Sequence, residues 1–202
     1  MTEQYDSLCA SKAGERYDGD AENAAKRLQQ YLASGTVLDV GGGEGRNALL
    51  LAEQGFQVTV TDLSHVGLQK LAAKANEQQL EIATKVSDIV TDGVHESYDA
   101  FVFSFVLHHI PAVNVEHVLR VCQEQTRPGG CHVIATFAAH GGLYERNQHS
   151  GRFYATKAHL RDVYDGWVIR ECIQGETLAQ ARDKNGERMK NDTIQFIAQK
   201  PA

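Results

Sequence analysis

The chain has 202 residues, 42% of them hydrophobic, which is enough to build the core of one domain without crosslinks. Its longest apolar run is too short to cross a bilayer, the first residues lack a basic stretch leading into an apolar one, and the cysteines lack metal-site spacing; an unexported, cytoplasmic protein without a metal or a membrane partner is therefore expected. The net charge of −6 disfavours a nucleic acid partner, because phosphate binding needs clustered Lys and Arg.

The chain begins with a predicted helical segment, residues 1–35, ahead of one larger domain, residues 36–202. Ala24, Ala25, Leu28 and Leu32 recur at helical spacing between 20 and 33, and Gly35 follows as a stop signal. No internal repeat, biased tract or linker marks a further boundary in the rest of the chain.

Between 36 and 137, short apolar strands alternate with helices. The predicted strands are 37–40, 56–62, 81–86, 99–105 and 131–137, and the predicted helices are 47–54, 64–78 and 113–125, with a turn at 127–130. Ser64 is a candidate cap for the second of these helices. The stretch 99–105 is almost continuously apolar, which is typical of a strand buried on both faces. The alternation predicts parallel strands joined by right-handed crossovers in a doubly wound α/β sheet.

Beyond 138 the alternation weakens. Residues 141–151 are expected to form a loop and 156–164 a helix, while 167–173 and 193–198 are two further strands around a polar connection. The complete prediction is a mostly parallel, seven-stranded sheet with helices on both faces, in which the last strand is antiparallel.

A glycine-rich loop follows the first strand. It reads Asp39-Val40-Gly41-Gly42-Gly43-Glu44-Gly45. In an open α/β sheet, ligands lie at the carboxyl ends of strands where the strand order reverses, and glycines let the backbone approach them. A dinucleotide fingerprint, G-x-G-x-x-G, would need a glycine where Arg46 stands. The loop therefore indicates a nucleotide-like ligand other than a dinucleotide, a plain turn being the alternative.

Two acids follow the next two strands. A carboxylate at Asp62 can accept hydrogen bonds from both hydroxyls of a ribose, although a lone acid after a strand is more often a helix cap. Asp88 precedes Ile89 in a similar position, with an ordinary loop acid as the alternative. Paired with the glycine loop, Asp62 becomes a candidate ligand-binding residue.

The spacing Asp-x-Gly-x-Gly-x-Gly resembles motif I of the class I S-adenosylmethionine-dependent methyltransferases. The resemblance implies a Rossmann-like methyltransferase fold and S-adenosylmethionine as methyl donor, with S-adenosylhomocysteine as product. It also implies that Asp39 orients the loop and faces the ammonium group, that Asp62 binds the ribose, and that Asp88 faces the adenine amino group with Ile89 against the ring. The residues expected to hold the cofactor are Asp39, Gly41, Gly42, Gly43, Gly45, Arg46, Asn47, Asp62, Leu63, Asp88, Ile89, Ser104 and Phe105.

The end of the fourth strand bears on the methyl acceptor. Residues 104–110 lack the Asn/Asp-Pro-Pro-aromatic motif typical of enzymes that methylate base or Gln nitrogens, whereas Leu-His-His-Ile is common in methyltransferases of small molecules. His109, or its neighbour His108, is a candidate to take a proton from the acceptor, with a structural histidine as the alternative. In-line placement of the nucleophile can supply much of the rate, so a dedicated base is not required.

The loop Gly45-Arg46-Asn47 is similar to that of the tellurite-resistance methyltransferases of the TehB type, and the similarity continues through Tyr164-Asp165-Gly166-Trp167 and residues 185–190. That family is cytoplasmic and is thought to methylate tellurium and selenium oxyanions with basic residues in the carboxyl-terminal connection. Arg188 matches one of these and is a candidate catalytic residue, with a solvated surface charge as the alternative. The family's adjacent His-Arg pair is replaced by Gln180-Ala181, which weakens the case for an oxyanion.

Other functions stay open at this level. In many members of the superfamily the amino-terminal segment folds over the cofactor, which makes Tyr17 a candidate lid residue, with a disordered terminus as the alternative. A nucleotide-binding module or an NAD-dependent oxidoreductase on a related sheet is a second hypothesis, and a cofactor-binding regulator without catalysis is a third. The sequence leaves the oligomeric state open.

Overall fold

A computed structural model of the protein describes residues 3, 5–7, 26–182 and 186–202. Within these ranges the strands are β1 (Thr36–Val40), β2 (Gln57–Asp62), β3 (Ile82–Val86), β4 (Tyr98–Ser104), β5 (Thr126–Gly141), β6 (Val168–Arg182) and β7 (Arg188–Gln199). The helices are α1 (Arg46–Glu53), α2 (His65–Glu77), α3 (Ala112–Glu124), α4 (Gly142–Asn147) and α5 (Lys157–Val163), with a 3₁₀ turn at Leu107–His109. Among these helices, none is long and apolar enough to cross a membrane.

The seven strands of the described chain form one sheet in the order β3-β2-β1-β4-β5-β7-β6. The pairs β1–β2, β1–β4, β2–β3 and β4–β5 are parallel, and β7 runs antiparallel to both of its neighbours. The predicted doubly wound, mostly parallel sheet with a reversed last strand is therefore confirmed.

The central strands are apolar on both sides because a helix layer covers each face of the sheet. On one face, Phe101 and Phe103 of β4 join a cluster with residues of α3 and α5. On the other face, Val102 of the same strand joins a cluster with residues of α1 and α2. Since successive strand residues point to opposite faces, both sets of positions must be apolar, which accounts for the continuous run in the sequence.

The helix starts follow local capping chemistry. The Ser64 hydroxyl accepts a hydrogen bond of 3.0 Å from the Gly67 amide, which confirms Ser64 as the cap of α2. At α5, the Thr156 hydroxyl accepts 3.1 Å from the His159 amide, so this helix begins where the sequence placed it. Such bonds satisfy amides that the first turn of a helix leaves without a partner.

Three predictions for the second half were wrong. The predicted turn at 127–130 lies inside β5, as an irregularity where the pairing with β4 shifts between Tyr98 and Ala100. The predicted loop at 141–151 contains α4. The polar connection after 173 is instead part of a long antiparallel hairpin in which β6 and β7 pair as far as Arg182 and Arg188. Backbone ladders need no apolar side chains, and β6 is an edge strand, so its polar sequence conceals a strand.

The amino-terminal segment is described only in part. Residues 26–28 are helical and Leu28 is buried, but the rest of the predicted helix before residue 26 lies outside the described residues, as does Tyr17. The division into a segment 1–35 and a domain 36–202 stays a prediction.

Candidate active site

A cavity of about 380 Å³ lies at the carboxyl ends of the parallel strands, a size in the range of about 300 to 1,000 Å³ that small-molecule sites have. From the neighbouring strands β1 and β4, the following strands are added in opposite directions along the sheet. The cavity opens at this reversal of strand order, which is where ligands bind in open α/β sheets. Its lining residues are Tyr5, Val40, Gly41, Thr61, Asp62, Leu63, Ser87, Asp88, Ile89, Val90, Thr91, Phe105, Val106, His109, Ile110, Pro111 and Asn114.

The glycine loop is held against the end of β2 by backbone hydrogen bonds. The amides of Gly41 and Gly42 donate to the Thr61 carbonyl at 2.7 and 3.2 Å. The Gly43 amide donates to Oδ2 of Asp62 at 2.8 Å. The loop and the acid after the second strand, which the sequence analysis treated as separate signals, are thus one hydrogen-bonded unit.

Gly45 has a packing role that its motif position alone does not reveal. Its φ of +78° is left-handed, and it is the residue from which α1 starts. A Cβ placed there would lie 2.1 Å from Cδ1 of Leu71 on α2, so the two helices approach each other over this glycine. The close approach that a dinucleotide fingerprint assigns to the position of Arg46 is here supplied by Gly45.

Asp39 is a buried acid beneath the glycine loop. Its carboxylate lies under the loop, since a Cβ on Gly42 would come within 2.8 Å of Oδ2, and the side chain is 1% exposed. Neither carboxylate oxygen has a hydrogen-bond partner among the described residues. Burial, together with the negative charge of Asp62, raises the pKa of Asp39 to about 7. Such a group is stabilised by a positive charge brought to the loop.

Asp62 and Asp88 both line the cavity, but they are held differently. Asp62 is fixed at both oxygens, because Oδ1 accepts from the Ser64 amide at 2.7 Å and Oδ2 from Gly43. Each oxygen keeps a second lone pair for a ligand hydroxyl. Burial raises the pKa of Asp62, while these amides oppose that shift. The carboxylate of Asp88 accepts one hydrogen bond from the described residues, from the Val90 amide to Oδ1 at 2.9 Å.

The end of β4 carries a strained residue. Phe105 has a φ of +52°, a left-handed conformation that is costly for a bulky side chain. Its amide donates to the Ala135 carbonyl at 2.7 Å, and its ring lies 5.1 Å from that of Phe137. Phe105 lines the cavity, whereas Ser104, one residue earlier, does not. Strain of this kind concentrates at functional sites, where surrounding contacts hold it in place.

The two histidines after β4 lie in different environments. His108 is buried, and burial lowers its pKa strongly, aided by the charges of His109 and Arg152, so it is neutral at physiological pH. His109 is exposed and lines the cavity, with its ring 4.0 Å from that of His108. Of the two, His109 is the one placed to meet a ligand.

Residues near the amino terminus reach the same cavity, which the sequence analysis missed. Tyr5 lines it and packs edge-on to His109, with ring centroids 5.5 Å apart. The carboxylate of Asp6 accepts from the Ser64 hydroxyl at 2.8 Å and from the Val66 amide at 3.1 Å, at the start of α2. An Asp that binds free amides of a distant helix has no local sequence signal, so only the fold reveals this contact.

The remaining expected site residues do not line the cavity. Asn47 is buried in α1, and Oδ1 of its side chain has no partner among the described residues, whereas Arg46 is exposed. Arg188 lies on the hairpin, where its guanidinium donates to the Leu178 carbonyl at 3.1 Å. Arg188 does not line the cavity.

A larger depression of about 1170 Å³ lies at the opposite ends of the strands, among residues at the amino ends of β1, β2 and β3. It is shallow, and its lining contains neither the glycine loop nor the histidines. Since ligands of this architecture bind at the carboxyl ends of strands, the smaller cavity is the candidate site. No group of His, Cys, Asp or Glu in the described part of the chain is arranged to hold a metal ion.

The strand order, the reversed seventh strand and a cavity beside the glycine loop define a Rossmann-like methyltransferase fold. The family model described as "Tellurite resistance protein TehB" matches residues 15–197, and the chain belongs to this family.

Two TehB proteins of Haemophilus influenzae illustrate the relationship. The chain is 28% identical over 182 residues to the "Probable S-adenosyl-L-methionine-dependent methyltransferase TehB" of strain 10810, an alignment covering 90% of this chain and 62% of the relative. The crystal structure of TehB from Haemophilus influenzae superposes with a TM-score of 0.77 at 23% identity, over 88% of this chain and 62% of that one. The chain thus spans less than two thirds of these relatives.

A third relative is similar over a shorter stretch. The "tRNA 5-carboxymethoxyuridine methyltransferase" of Escherichia coli (strain K12) is 31% identical over 128 residues, which is 61% of this chain and 48% of the relative. The similarity to this chain therefore extends to a methyltransferase that is named for a tRNA nucleoside.

Proposed function

We propose that this chain is an S-adenosylmethionine-dependent methyltransferase that acts on a small-molecule acceptor. The observation that carries the proposal is the unit formed by the glycine loop, Asp62 and the buried Asp39 at the wall of the cavity. The membership of the TehB family supports it, since relatives in that family bear the name of such methyltransferases.

The residues present fit S-adenosylmethionine. The carboxylate of Asp39, which has no hydrogen-bond partner among the described residues, matches the ammonium group of the methionine part, because a cation there offsets the cost of its ionisation. The free lone pairs of Asp62 suit the two ribose hydroxyls. Asp88 can accept from the adenine amino group, with Ile89 as an apolar contact for the ring. The Gly41 backbone forms the wall between these groups.

When bound, S-adenosylmethionine supplies a methyl group on a sulfonium sulfur, which an acceptor attacks as the carbon–sulfur bond breaks and the electron pair stays on S-adenosylhomocysteine. The protein's part is to place the acceptor in line with that bond and to exclude water. Phe105, Val106 and Ile110 provide apolar wall for this purpose. Burial leaves His108 neutral and without room for a substrate.

His109 is the residue proposed to take a proton from a protic acceptor, since its ring is exposed to the cavity. His109→Ala is expected to lower kcat by about tenfold with such an acceptor and to leave S-adenosylhomocysteine affinity unchanged. If the kcat of the wild-type protein stayed unchanged from about pH 6 to about pH 9, where an ordinary histidine loses its proton, His109 would not be the base.

Tellurium and selenium oxyanions are the acceptors that the family's name suggests. Arg188, the residue proposed for binding them, lies on the hairpin with its guanidinium on the Leu178 carbonyl. Oxyanions therefore belong in the acceptor panel without being the favoured class. A cytoplasmic location also stays a proposal, and Cys122, Cys131 and Cys172 are free thiols, consistent with a reducing compartment.

Titration calorimetry separates the proposed function from a dinucleotide-dependent one. Heat of binding is expected with S-adenosylhomocysteine and none with NAD, and the reverse result would overturn the proposal. Transfer of a labelled methyl group to thiols, small amines, phenols, tellurite and selenite then tests catalysis. Tight S-adenosylhomocysteine binding without turnover of any acceptor would favour a cofactor-binding regulator.

A further inference from the structure

The rim of the cavity opposite the glycine loop carries an arginine that the sequence motifs do not mark. Arg152 forms an antiparallel β-bridge with Pro111, a residue of the cavity wall. Beside it, the Ala112 amide donates to the Gly151 carbonyl at 3.0 Å. These backbone contacts fix the start of the Arg152 side chain next to the cavity, although the residue lies far from Pro111 in the sequence.

The positive charge of Arg152 acts on Tyr5, which lines the cavity, and on His108 and Tyr154, which do not. Burial raises the pKa of the Tyr5 hydroxyl, and the positive charge of Arg152 opposes that rise. The same charge acts on the buried His108 and on Tyr154. Arg152 thus combines a backbone bridge to the cavity wall with an electrostatic interaction with Tyr5 on that wall.

Arg152 is exposed, and its guanidinium forms no hydrogen bond or ion pair with any residue that the structure describes. The acids that line the cavity, Asp62 and Asp88, lie on the cofactor side and act on Tyr5 with the opposite sign. An anion in this cavity is repelled by these two carboxylates and attracted by the charge of Arg152. Its favourable position is next to Arg152.

The side chains around Arg152 are aromatic. Tyr5 packs edge-on against His109, and Tyr154 packs edge-on against Tyr144 with ring centroids 5.4 Å apart. We define Tyr5, His109, Arg152 and Tyr154 as the acceptor rim, of which Tyr5 and His109 line the cavity and Arg152 is bridged to its wall at Pro111. Aromatic rings contribute apolar area and ring contacts, which an organic molecule can use and a small inorganic oxyanion cannot.

We propose that Arg152 is the specificity-determining residue for the acceptor, and that the acceptor is an organic acid whose carboxylate or phosphate binds the guanidinium while its carbon skeleton packs on Tyr5 and His109. This inference rests on the proposed function and names its substrate class. The planar guanidinium binds such anions through paired hydrogen bonds, so it orients the acceptor as well as attracting it.

The experiment uses the wild-type protein saturated with S-adenosylhomocysteine and titrates it with benzoate, phenyl phosphate, benzamide and selenite in a calorimeter. At least one of the two organic anions is expected to bind about tenfold more tightly than neutral benzamide. Benzoate and phenyl phosphate distinguish a carboxylate from a phosphate. In Arg152→Ala the affinity for the organic anion should fall to the affinity for benzamide, and Arg152→Lys should recover part of the difference.

Arg161→Ala is the matched control, because Arg161 is an exposed arginine on α5 and should leave every affinity unchanged. Equal binding of benzoate, phenyl phosphate and benzamide, or an anion affinity that survives Arg152→Ala, would overturn the inference. Binding of selenite without binding of either organic anion would do so as well, in favour of an inorganic acceptor. Absence of S-adenosylhomocysteine binding in the wild type contradicts the proposed function instead, and the anion series is then measured on the unliganded protein.

Discussion

The two sides of the cavity are built in different ways. The cofactor side consists of residues 39–45 with Asp62, which lie at the ends of two adjacent parallel strands with an uninterrupted register. The acceptor rim draws its residues from the amino terminus, from the connection after β4 and from the segment before α5. The cofactor side is a short stretch of chain hydrogen-bonded to the end of the neighbouring strand. The acceptor rim forms only when segments that are distant in the chain pack together. A cofactor common to many enzymes can thus stay with the first side while the acceptor changes with the second.

The largest effect is expected from filling the space over Gly45. Gly45→Ala puts a Cβ into Leu71 and forces a non-glycine residue into a left-handed conformation, which should lower the free energy of unfolding by about 3 kcal/mol. Gly55→Ala is the matched control, because Gly55 also has a positive φ but nothing within 4 Å of the added carbon, and should cost about 1 kcal/mol. Urea unfolding measures the free energy of unfolding of both variants. Equal losses would show that the Leu71 side chain moves aside without cost.

The next effect is on cofactor affinity. Asp62→Ala removes the acceptor for the Gly43 and Ser64 amides and for the ribose hydroxyls, and should weaken S-adenosylhomocysteine binding by about 100-fold. Asp162→Ala, an exposed acid on α5, provides the control in the same calorimetric titration. A loss of less than about threefold for Asp62→Ala would place the ribose elsewhere.

A third prediction concerns the pH dependence of stability. The pKa of Asp39 is about 7 in the folded chain, above its ordinary value of 3.8, so the folded state holds its proton more tightly than the unfolded state. The stabilisation by this proton is complete below the lower value and is lost as the pH rises through about 7. The side chain of Asp39→Asn does not titrate. Without cofactor, the free energy of unfolding of this variant should therefore rise relative to that of the wild type by about 2 kcal/mol from about pH 5 to about pH 8.

Urea unfolding of both proteins at several pH values checks the Asp39 prediction, and parallel stability curves would contradict it. The same variant should bind S-adenosylhomocysteine more weakly at about pH 8, because the partner for the ammonium group has lost its charge. Higher stability combined with lower affinity is the pattern expected of a group kept for binding.

The smallest effect is expected on the hairpin. Arg188→Ala removes a guanidinium that donates to the Leu178 carbonyl and does not line the cavity, so S-adenosylhomocysteine affinity should change by less than about twofold. A larger loss in calorimetry would mean that the hairpin takes part in the site and would weaken the distinction between the two sides of the cavity.

The parallel half of the fold could be predicted because its signals are local. The apolar run of β4, the Ser64 cap of α2 and the glycine loop each specify their structure within a few residues. The antiparallel half could be predicted only in part, because strands at 167–173 and 193–198 and a reversed last strand were expected but the length of the hairpin was not. β6 is polar over much of its length and exposes Ile173 and Leu178, because as an edge strand it has one neighbour and one uncovered side.

Within the site, the same division holds residue by residue. Asp62 and Gly41 were found from spacing and line the cavity, whereas Arg188 was found from a short family match and lies away from it. Tyr5 and Arg152 carry no motif, and a single Tyr or exposed Arg gives no signal in a sequence. They are recognised only because a ring contact and a β-bridge bring them to the cavity.

The sequence by itself determined the sheet type, the glycine loop and the acids near the ends of β2 and β3, since strand periodicity and turn chemistry act over a few residues. Only the tertiary structure decided that Asp39 is buried without a hydrogen-bond partner among the described residues, that Asp62 holds the loop, and that Arg152 acts electrostatically on Tyr5 of the cavity wall. The physical reason is that burial, electrostatic coupling and the position of a cavity depend on segments distant in the chain, which no local pattern records.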